Sequence, residues 1–306
     1  MSLSLDLRVR VASLQLANPI LAASGAFGYG LEFAHLVHLG ALGGLVTKGL
    51  SAQPMPGAPS PRLAETAAGM LNAVGLQNIG VRAFIAEKLP QLRSCETAIV
   101  ANIFGSTFRE YLEVIEALEQ AEGLAAYELN ISCPNTDAGG REFGLEPAVT
   151  AELVRAARRT ARRPLWVKLS PNVTDIVPLA KAAEDAGADA LTIANTYPGM
   201  AVDIRTRRSR LGRLFGGLSG PAVKPMALKL VYEACRAVQI PVLGLGGIET
   251  PEDVLEYILV GATAVQVGTA HFVNPAICQE LVKGVHDLMS RINLRNINDL
   301  RGQLRA

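Results

Sequence analysis

Polar side chains fall at the ends of six short apolar runs: Ser24, Lys48, Asn102, Asn130, Lys168, and Asn195 with Thr196. Any one of them could be a satisfied structural residue. Gathering several amides and two ammonium groups around one cavity is costly unless a polar ligand answers them. Their convergence therefore points to a large, anionic, heteroatom-rich cofactor or substrate. Cys133 stands just beyond Asn130 and Ser132 in NISCPN, where a thiolate could act as a nucleophile or as a base. The histidines His35, His38, His271 and His286 are all remote from it in sequence, which disfavours a thiol protease. Gly244-Leu245-Gly246-Gly247 and Gly268-Thr269 end the last two apolar runs. One glycine turn would say little, but two at those positions point to a phosphorylated ligand held on bare backbone amides.

The elements that must position these groups alternate between β-like runs and helical patterns, as in repeated βα units around a parallel sheet. Eight runs are expected as strands: 20–23, 44–48, 98–102, 127–132, 165–169, 190–194, 242–245 and 264–267. Thr250 followed by Pro251 opens a helix that ends at Gly261, Thr107 and Glu110 have capping-box spacing, and Thr174 should open a helix closed by Gly187. A doubly wound open sheet fits the alternation too, but the first turn reads SGAFGYG, which is not GxGxxG. The pattern is therefore read as an α/β chain, a closed TIM (β/α)8 barrel in one domain spanning 1–306. The alternating segment before Leu16 is expected as a β-hairpin closing the opposite end.

Three segments after strands, 49–78, 133–147 and 195–225, are too long to be plain connectors. All lie at the strand C-termini, the end where barrels of this kind carry their active sites. His35 and His38 are read as sharing an early helix, and His271 as packing or capping. Cys95, Cys235 and Cys278 are read as inert thiols in helical or pre-strand segments. Arg205, Arg207, Arg208, Arg210 and Arg213 are read as a solvated loop without a catalytic role.

Composition bounds the rest. The 306 residues carry 29 Lys and Arg against 28 Asp and Glu, a net charge of +1, so nothing argues for nucleic acid or an anionic membrane surface. No apolar window is long enough for a membrane helix, and the start resembles a strand rather than a secretion signal, so a cytoplasmic protein is expected. Four scattered cysteines without a CxxC pair leave no ligand set for zinc or an iron-sulfur cluster, and no metal site is expected.

TKG at 47–49, MLNAVGLQN at 70–78, ELNISCPN at 128–135, VKLSPN at 167–172 and NTYPGMAVD at 195–203 closely resemble class 1 dihydroorotate dehydrogenases, in the family's order and over essentially the whole chain. The resemblance implies a TIM barrel holding FMN that oxidises (S)-dihydroorotate to orotate in de novo pyrimidine biosynthesis. It makes Cys133 the base that takes a proton from C5 while the C6 hydride passes to flavin N5. A thiol suits that role because its ordinary pKa of about 8.5 lies near working pH. It places Lys48, Asn72, Ala73, Val74, Gly75, Leu76, Asn130, Asn195 and Thr196 against the substrate. It places Ser24, Lys48, Gly49, Asn102, Asn130, Lys168, Ala194 and Gly220 against FMN, and Gly246, Gly247, Gly268 and Thr269 around its phosphate. Class 2 members, which are membrane-bound, carry serine where Cys133 stands.

TDAGGREFG and NTYPGMAVDIRTRR look like subclass 1B rather than the fumarate-using 1A. That likeness implies a homodimer working with an electron-transfer subunit that carries FAD and a 2Fe-2S cluster and delivers electrons to NAD. Three other readings compete: a dihydropyrimidine (uracil) dehydrogenase-type subunit, an aldolase using Lys168 as a Schiff-base amine, and an FMN-carrying relay without chemistry of its own. Lys48 and NAVGLQN favour a carboxylated ring over uracil. The amide-rich pocket would go unexplained in an aldolase, and Cys133 with Lys48 would be idle in a relay.

Overall fold

The computed structural model describes residues 5–131 and 143–305, so Cys133 and most of the segment after it lie outside the described residues. A two-stranded hairpin, β1 (Val9–Val11) and β2 (Leu14–Leu16), comes first. Its alternation buries Val9, Val11 and Leu16 in the main core while Arg10 and Gln15 face outward.

The expected eight strands form and close. They are β3 (Ile20–Ala22), β4 (Gly44–Val46), β7 (Ala98–Ile103), β8 (Ala126–Asn130), β9 (Leu165–Lys168), β10 (Ala190–Ile193), β15 (Val242–Leu245) and β16 (Ala264–Val267). Parallel pairing runs β3-β4-β7-β8-β9-β10-β15-β16 and returns to β3. These strands are buried on both faces, between the barrel interior and the helices outside, which is why they read as unbroken apolar runs. The strands end one or two residues earlier than expected in several cases, which leaves Lys48, Ala194 and their neighbours in the turns above the barrel.

The outer helices are α1 (Val81–Ala83) and α2 (Leu89–Leu92) joined by a π-helical turn at Phe84–Lys88, then α3 (Phe108–Glu119), α4 (Pro147–Thr160), α5 (Val177–Asp185), α6 (Lys224–Ala237), α7 (Pro251–Leu259) and α8 (Ile277–Arg291). Thr250 and Asp253 form a reciprocal capping box on α7, and Thr107 caps α3 by accepting from the Glu110 amide. Two expectations are corrected. The helix expected from Thr174 begins at Val177 because Asp175 Oδ1 takes the Val177 amide at 2.9 Å, while Gly187 closes it at φ +98°. His35 and His38 share no helix: the segment holds two single 3-10 turns, Leu31–Phe33 and Leu39–Ala41, with His38 extended between them. Among the described residues no helix is long and apolar enough to cross a membrane.

The long segments after β4 and β10 are not loose. The first folds into β5 (Leu63–Thr66) and β6 (Gly69–Asn72); the second supplies β11 (Tyr197–Gly199), the short pair β12 (Val202–Asp203) and β13 (Arg208–Ser209), and β14 (Gly216–Ser219). They meet in one antiparallel sheet ordered β11-β14-β6-β5. Ala64, Leu71 and Leu211 give it a small apolar cluster of its own, separate from the barrel core.

Candidate active site

A cavity of about 860 Å³ opens at the strand C-termini, between the barrel rim and this added sheet. The resemblance marked nineteen described residues besides Cys133, and all nineteen line this cavity. Barrel strands and the turns after them supply Ser24, Lys48, Gly49, Asn102, Asn130, Lys168, Ala194, Asn195 and Thr196. The sheet and the turn that follows β6 supply Asn72, Ala73, Val74, Gly75 and Leu76.

The turn after β6 is pinned by its neighbours. Gly75 sits at φ +73°, and a Cβ there would stand 2.6 Å from the Ala58 amide nitrogen, so a side chain would push the two segments apart. Asn78 donates to Ser51 Oγ at 2.8 Å and accepts from the Gly80 amide at 2.8 Å. Arg62 donates to the carbonyls of Ala58 and Pro56 and to Gln77 Oε1. Asn72 reaches across the sheet to donate to the Gly217 carbonyl at 3.2 Å.

Two lysines face the cavity. Lys168 is almost fully buried and donates to Ser24 Oγ at 3.1 Å, and among the described residues it has no carboxylate partner. Lys48 is half-buried, and burial, reinforced by the Arg62 charge, holds its ammonium below the usual lysine range against an opposing pull from Glu32. A buried cation without an acid beside it is costly, and an anionic ligand removes that cost. Asn102 adds a second unanswered group: its Nδ2 donates to Glu128 Oε1 at 2.7 Å, while its buried Oδ1 has no hydrogen-bond partner among the described residues.

At the far end, Gly220, Gly246-Gly247 and Gly268-Thr269 come together. Gly247, at φ +68°, packs so closely that a Cβ would lie 2.9 Å from the Gly220 carbonyl oxygen and 2.8 Å from Lys224 Cβ. Thr269 Oγ1 donates to Ser219 Oγ at 2.7 Å, tying the last barrel turn to β14. Lys224 is engaged by Asp253 and Glu256, so its charge serves α7 rather than the cavity.

A match to the family model described as dihydroorotate dehydrogenase extends over residues 6–289. The chain belongs to the dihydroorotate dehydrogenase family. It is 54% identical over 300 residues to a protein of Solibacter usitatus provisionally named dihydroorotate dehydrogenase A (fumarate), covering 98% of this chain and 99% of that one. It is 51% identical over 299 residues to the dihydroorotate dehydrogenase B (NAD(+)) catalytic subunit of Pelobacter propionicus, covering 98% of each. A solved dihydroorotate dehydrogenase of Eimeria tenella, in complex with ferulenol, superposes with a TM-score of 0.82 at 22% identity, covering 97% of this chain and 88% of that one, which speaks for the fold.

The remaining histidines and thiols stand apart from the chemistry. His271 is buried beside Cys278 at 3.4 Å and against the Phe27 ring, and burial lowers its pKa to about 4, so it packs as a neutral ring. Burial raises the Cys278 thiol, and pushes that of Cys235 up to about 12; Cys95 is half-buried. The arginine loop is exposed as expected, except that Arg213 reaches the cavity wall. The sequence reading missed Glu128, Thr192 and Gln266, fully buried in the barrel interior. Their signal was present: each is a polar residue within an otherwise apolar strand run.

Proposed function

We propose that the cavity binds FMN and (S)-dihydroorotate together and oxidises the latter to orotate, the chain acting as one FMN-binding barrel domain. The observation that carries this reading is the convergence of the nineteen residues on a single cavity whose wall, among the described residues, holds a buried lysine without an acid and an amide oxygen without a donor. Its volume, about 860 Å³, lies within the range that holds a cofactor-sized ligand. FMN fits the groups present: the glycine turns 246–247 and 268–269 with Gly220 would take the phosphate, and Lys168, Asn102, Ser24, Gly49 and Ala194 would meet the ring. When bound, FMN supplies the two-electron acceptor.

The chain's own residues supply orientation and proton handling. Lys48 and the segment Asn72–Leu76 would hold the substrate carboxylate, with Asn130, Asn195 and Thr196 pairing with the pyrimidine ring. Buried amides of this kind reject a ring whose donors and acceptors do not match, because mismatch leaves them unpaired. Cys133, which lies outside the described residues, is the proposed base that removes the C5 proton.

For the electron acceptor, the relatives divide between names that specify fumarate and names that specify NAD(+) and a catalytic subunit. We favour the second arrangement: a cytoplasmic homodimer paired with a subunit carrying FAD and a 2Fe-2S cluster. Exposed Leu214, Phe215 and Phe272 beside the cavity offer an apolar rim for such a partner. Anaerobic mixing of the yellow protein with dihydroorotate tests the whole reading. Bleaching that neither fumarate nor NAD reverses supports the paired arrangement, reversal by fumarate moves the chain to the other subclass, and absence of bleaching removes the substrate. Replacing Cys133 by Ala should leave FMN bound and slow bleaching by about two orders of magnitude or more; unchanged bleaching removes Cys133 as the base.

A further inference from the structure

Directly below the cavity the barrel interior is polar. Glu128 on β8, Thr192 on β10 and Gln266 on β16 are each fully buried, and Asn102 on β7 is 1% exposed. Glu128 Oε1 accepts from Asn102 Nδ2 at 2.7 Å; its Oε2 accepts from Thr192 Oγ1 at 2.8 Å and from Gln266 Nε2 at 2.6 Å. Gln266 also donates to Thr192 Oγ1 at 3.2 Å, which leaves the hydroxyl proton for Glu128. The carboxylate thus receives three neutral donors and, among the described residues, no cation.

Branched aliphatic side chains commonly fill this part of a TIM barrel, and a buried carboxylate is the costlier choice for stability alone. Its effect is directional. Glu128 accepts in every one of these contacts, so both amides are turned the same way: Nδ2 of Asn102 and Nε2 of Gln266 point to it, and among the described residues both amide oxygens are left without a partner. Only Asn102 lines the cavity. Asn102 and Glu128 are paired across β7 and β8, so the backbone register sets them side by side. Gly49 leaves room at the oxygen, since a Cβ there would come within 3.0 Å of it.

We infer that Glu128 is a positioning residue for the flavin site: it locks the Asn102 amide with its oxygen as the group offered to the ligand, so that the site selects a ring N–H there and rejects an acceptor. The inference rests on the FMN reading of the cavity and extends it to residues that do not touch the ligand.

The test uses the purified chain, stripped of flavin and titrated with FMN, with flavin absorbance and the melting temperature of the flavin-free protein recorded beside it. In E128Q one oxygen cannot accept from three donors, and the new amide frees Asn102 to turn over. FMN should then bind at least about tenfold more weakly, the cost of one buried mismatch, with a shifted flavin spectrum. In N102D/E128Q the donor and acceptor exchange places: the amide introduced on β8 donates to the carboxylate introduced on β7, whose other oxygen again faces the ligand. FMN affinity should return to within about threefold of wild type, because the two changes act through one contact. The flavin midpoint potential should move negative, since the carboxylate now lies one residue nearer. FMN binding and spectrum unchanged in E128Q, whatever its melting temperature, would reduce Glu128 to a structural role and overturn the inference. A double variant no better than E128Q would overturn it too. Should E128Q give no folded protein, the double variant alone decides: folding with near-normal FMN affinity supports the exchange, and failure refutes it. Failure of the wild-type chain to take up FMN would instead remove the flavin reading itself.

Discussion

Replacing Lys168 by Met asks whether the protein holds this cation for its own stability or for its ligand. The residue is 3% exposed, and among the described residues its ammonium has one protein acceptor, Ser24 Oγ at 3.1 Å, for three N–H groups. Confining an ion in a protein interior costs up to several kcal/mol, and an apolar residue of similar length removes that cost. The cavity of about 860 Å³ is wide enough for water to reach the ammonium, so the low end applies. The flavin-free K168M protein should therefore gain about 1–2 kcal/mol. At about 2–3 °C per kcal/mol for a chain of this size, the melting temperature should rise by about 2–6 °C. With FMN present this gain is offset or reversed, because each charge-assisted hydrogen bond lost costs about 1.5–3 kcal/mol. FMN should then bind about 10- to 100-fold more weakly. Thermal unfolding with and without FMN, followed by tryptophan and by flavin fluorescence, reads both effects. A flavin-free K168M protein that melts below wild type would show Lys168 to be satisfied by the protein, and would refute the reasoning that makes it a ligand-directed cation.

Lys48 gives a pH prediction. Burial first and the Arg62 charge second lower its pKa, so the charged form that would pair with a substrate carboxylate is lost on rising pH earlier than for an ordinary lysine. KM for dihydroorotate should climb along that alkaline limb; R62Q should move the limb to higher pH and R62K should leave it in place, and a limb insensitive to R62Q would exclude the electrostatic coupling. Gly217 gives a steric one. A Cβ there collides with Thr196 Oγ1 and stands 2.6 Å from Thr196 Cβ, so G217A should displace Thr196 at a cost of about 1–3 kcal/mol. KM should rise about tenfold or more with flavin content unchanged, and a normal KM would show that Thr196 does not meet the substrate.

The barrel was legible because its strands are buried on both faces. Runs such as Val242–Leu245 and Ala264–Val267 then carry a signal that needs no long-range information. The caps at Thr107 and Thr250 were legible for the same reason, being local contacts three residues apart. The added sheet was not. Its strands GMLN and GGLS are glycine-rich, half-buried and weak in β-propensity, and they pair across 145 residues of sequence through Asn72 and Gly217. The helix start moved from Thr174 to Val177 because the next residue, Asp175, accepts the Val177 amide in a local turn, a choice that depends on one residue of register. Ser24, Lys48, Asn102, Asn130, Lys168, Asn195 and Thr196 were readable as polar interruptions at strand ends, whereas Asn72–Leu76 were marked only by the family resemblance. Glu128, two residues before Asn130 on the same face of β8, carried the same signal one layer deeper.

The two halves of the cavity are held by different physics. Apart from Gly220, which follows β14, the groups assigned to the flavin stand on barrel strands and their turns, rooted in a single large apolar core and, through Asn102, in the buried Glu128 layer. Lys48 sits on the barrel side too, its amide tied to the Gly28 carbonyl at 2.8 Å. The segment Asn72–Leu76, assigned to the substrate, instead hangs from a four-stranded sheet with, among the described residues, three buried side chains in its own cluster. Because β6 and β14 share that sheet, and β14 is tied through Ser219 to Thr269, a displacement of the turn after β6 must also work against the turn that begins at Gly268. Local stability follows buried apolar contact, so the sheet should exchange its amides faster than the barrel strands. Substrate binding should slow that exchange at β6 and β14 together rather than at either strand alone.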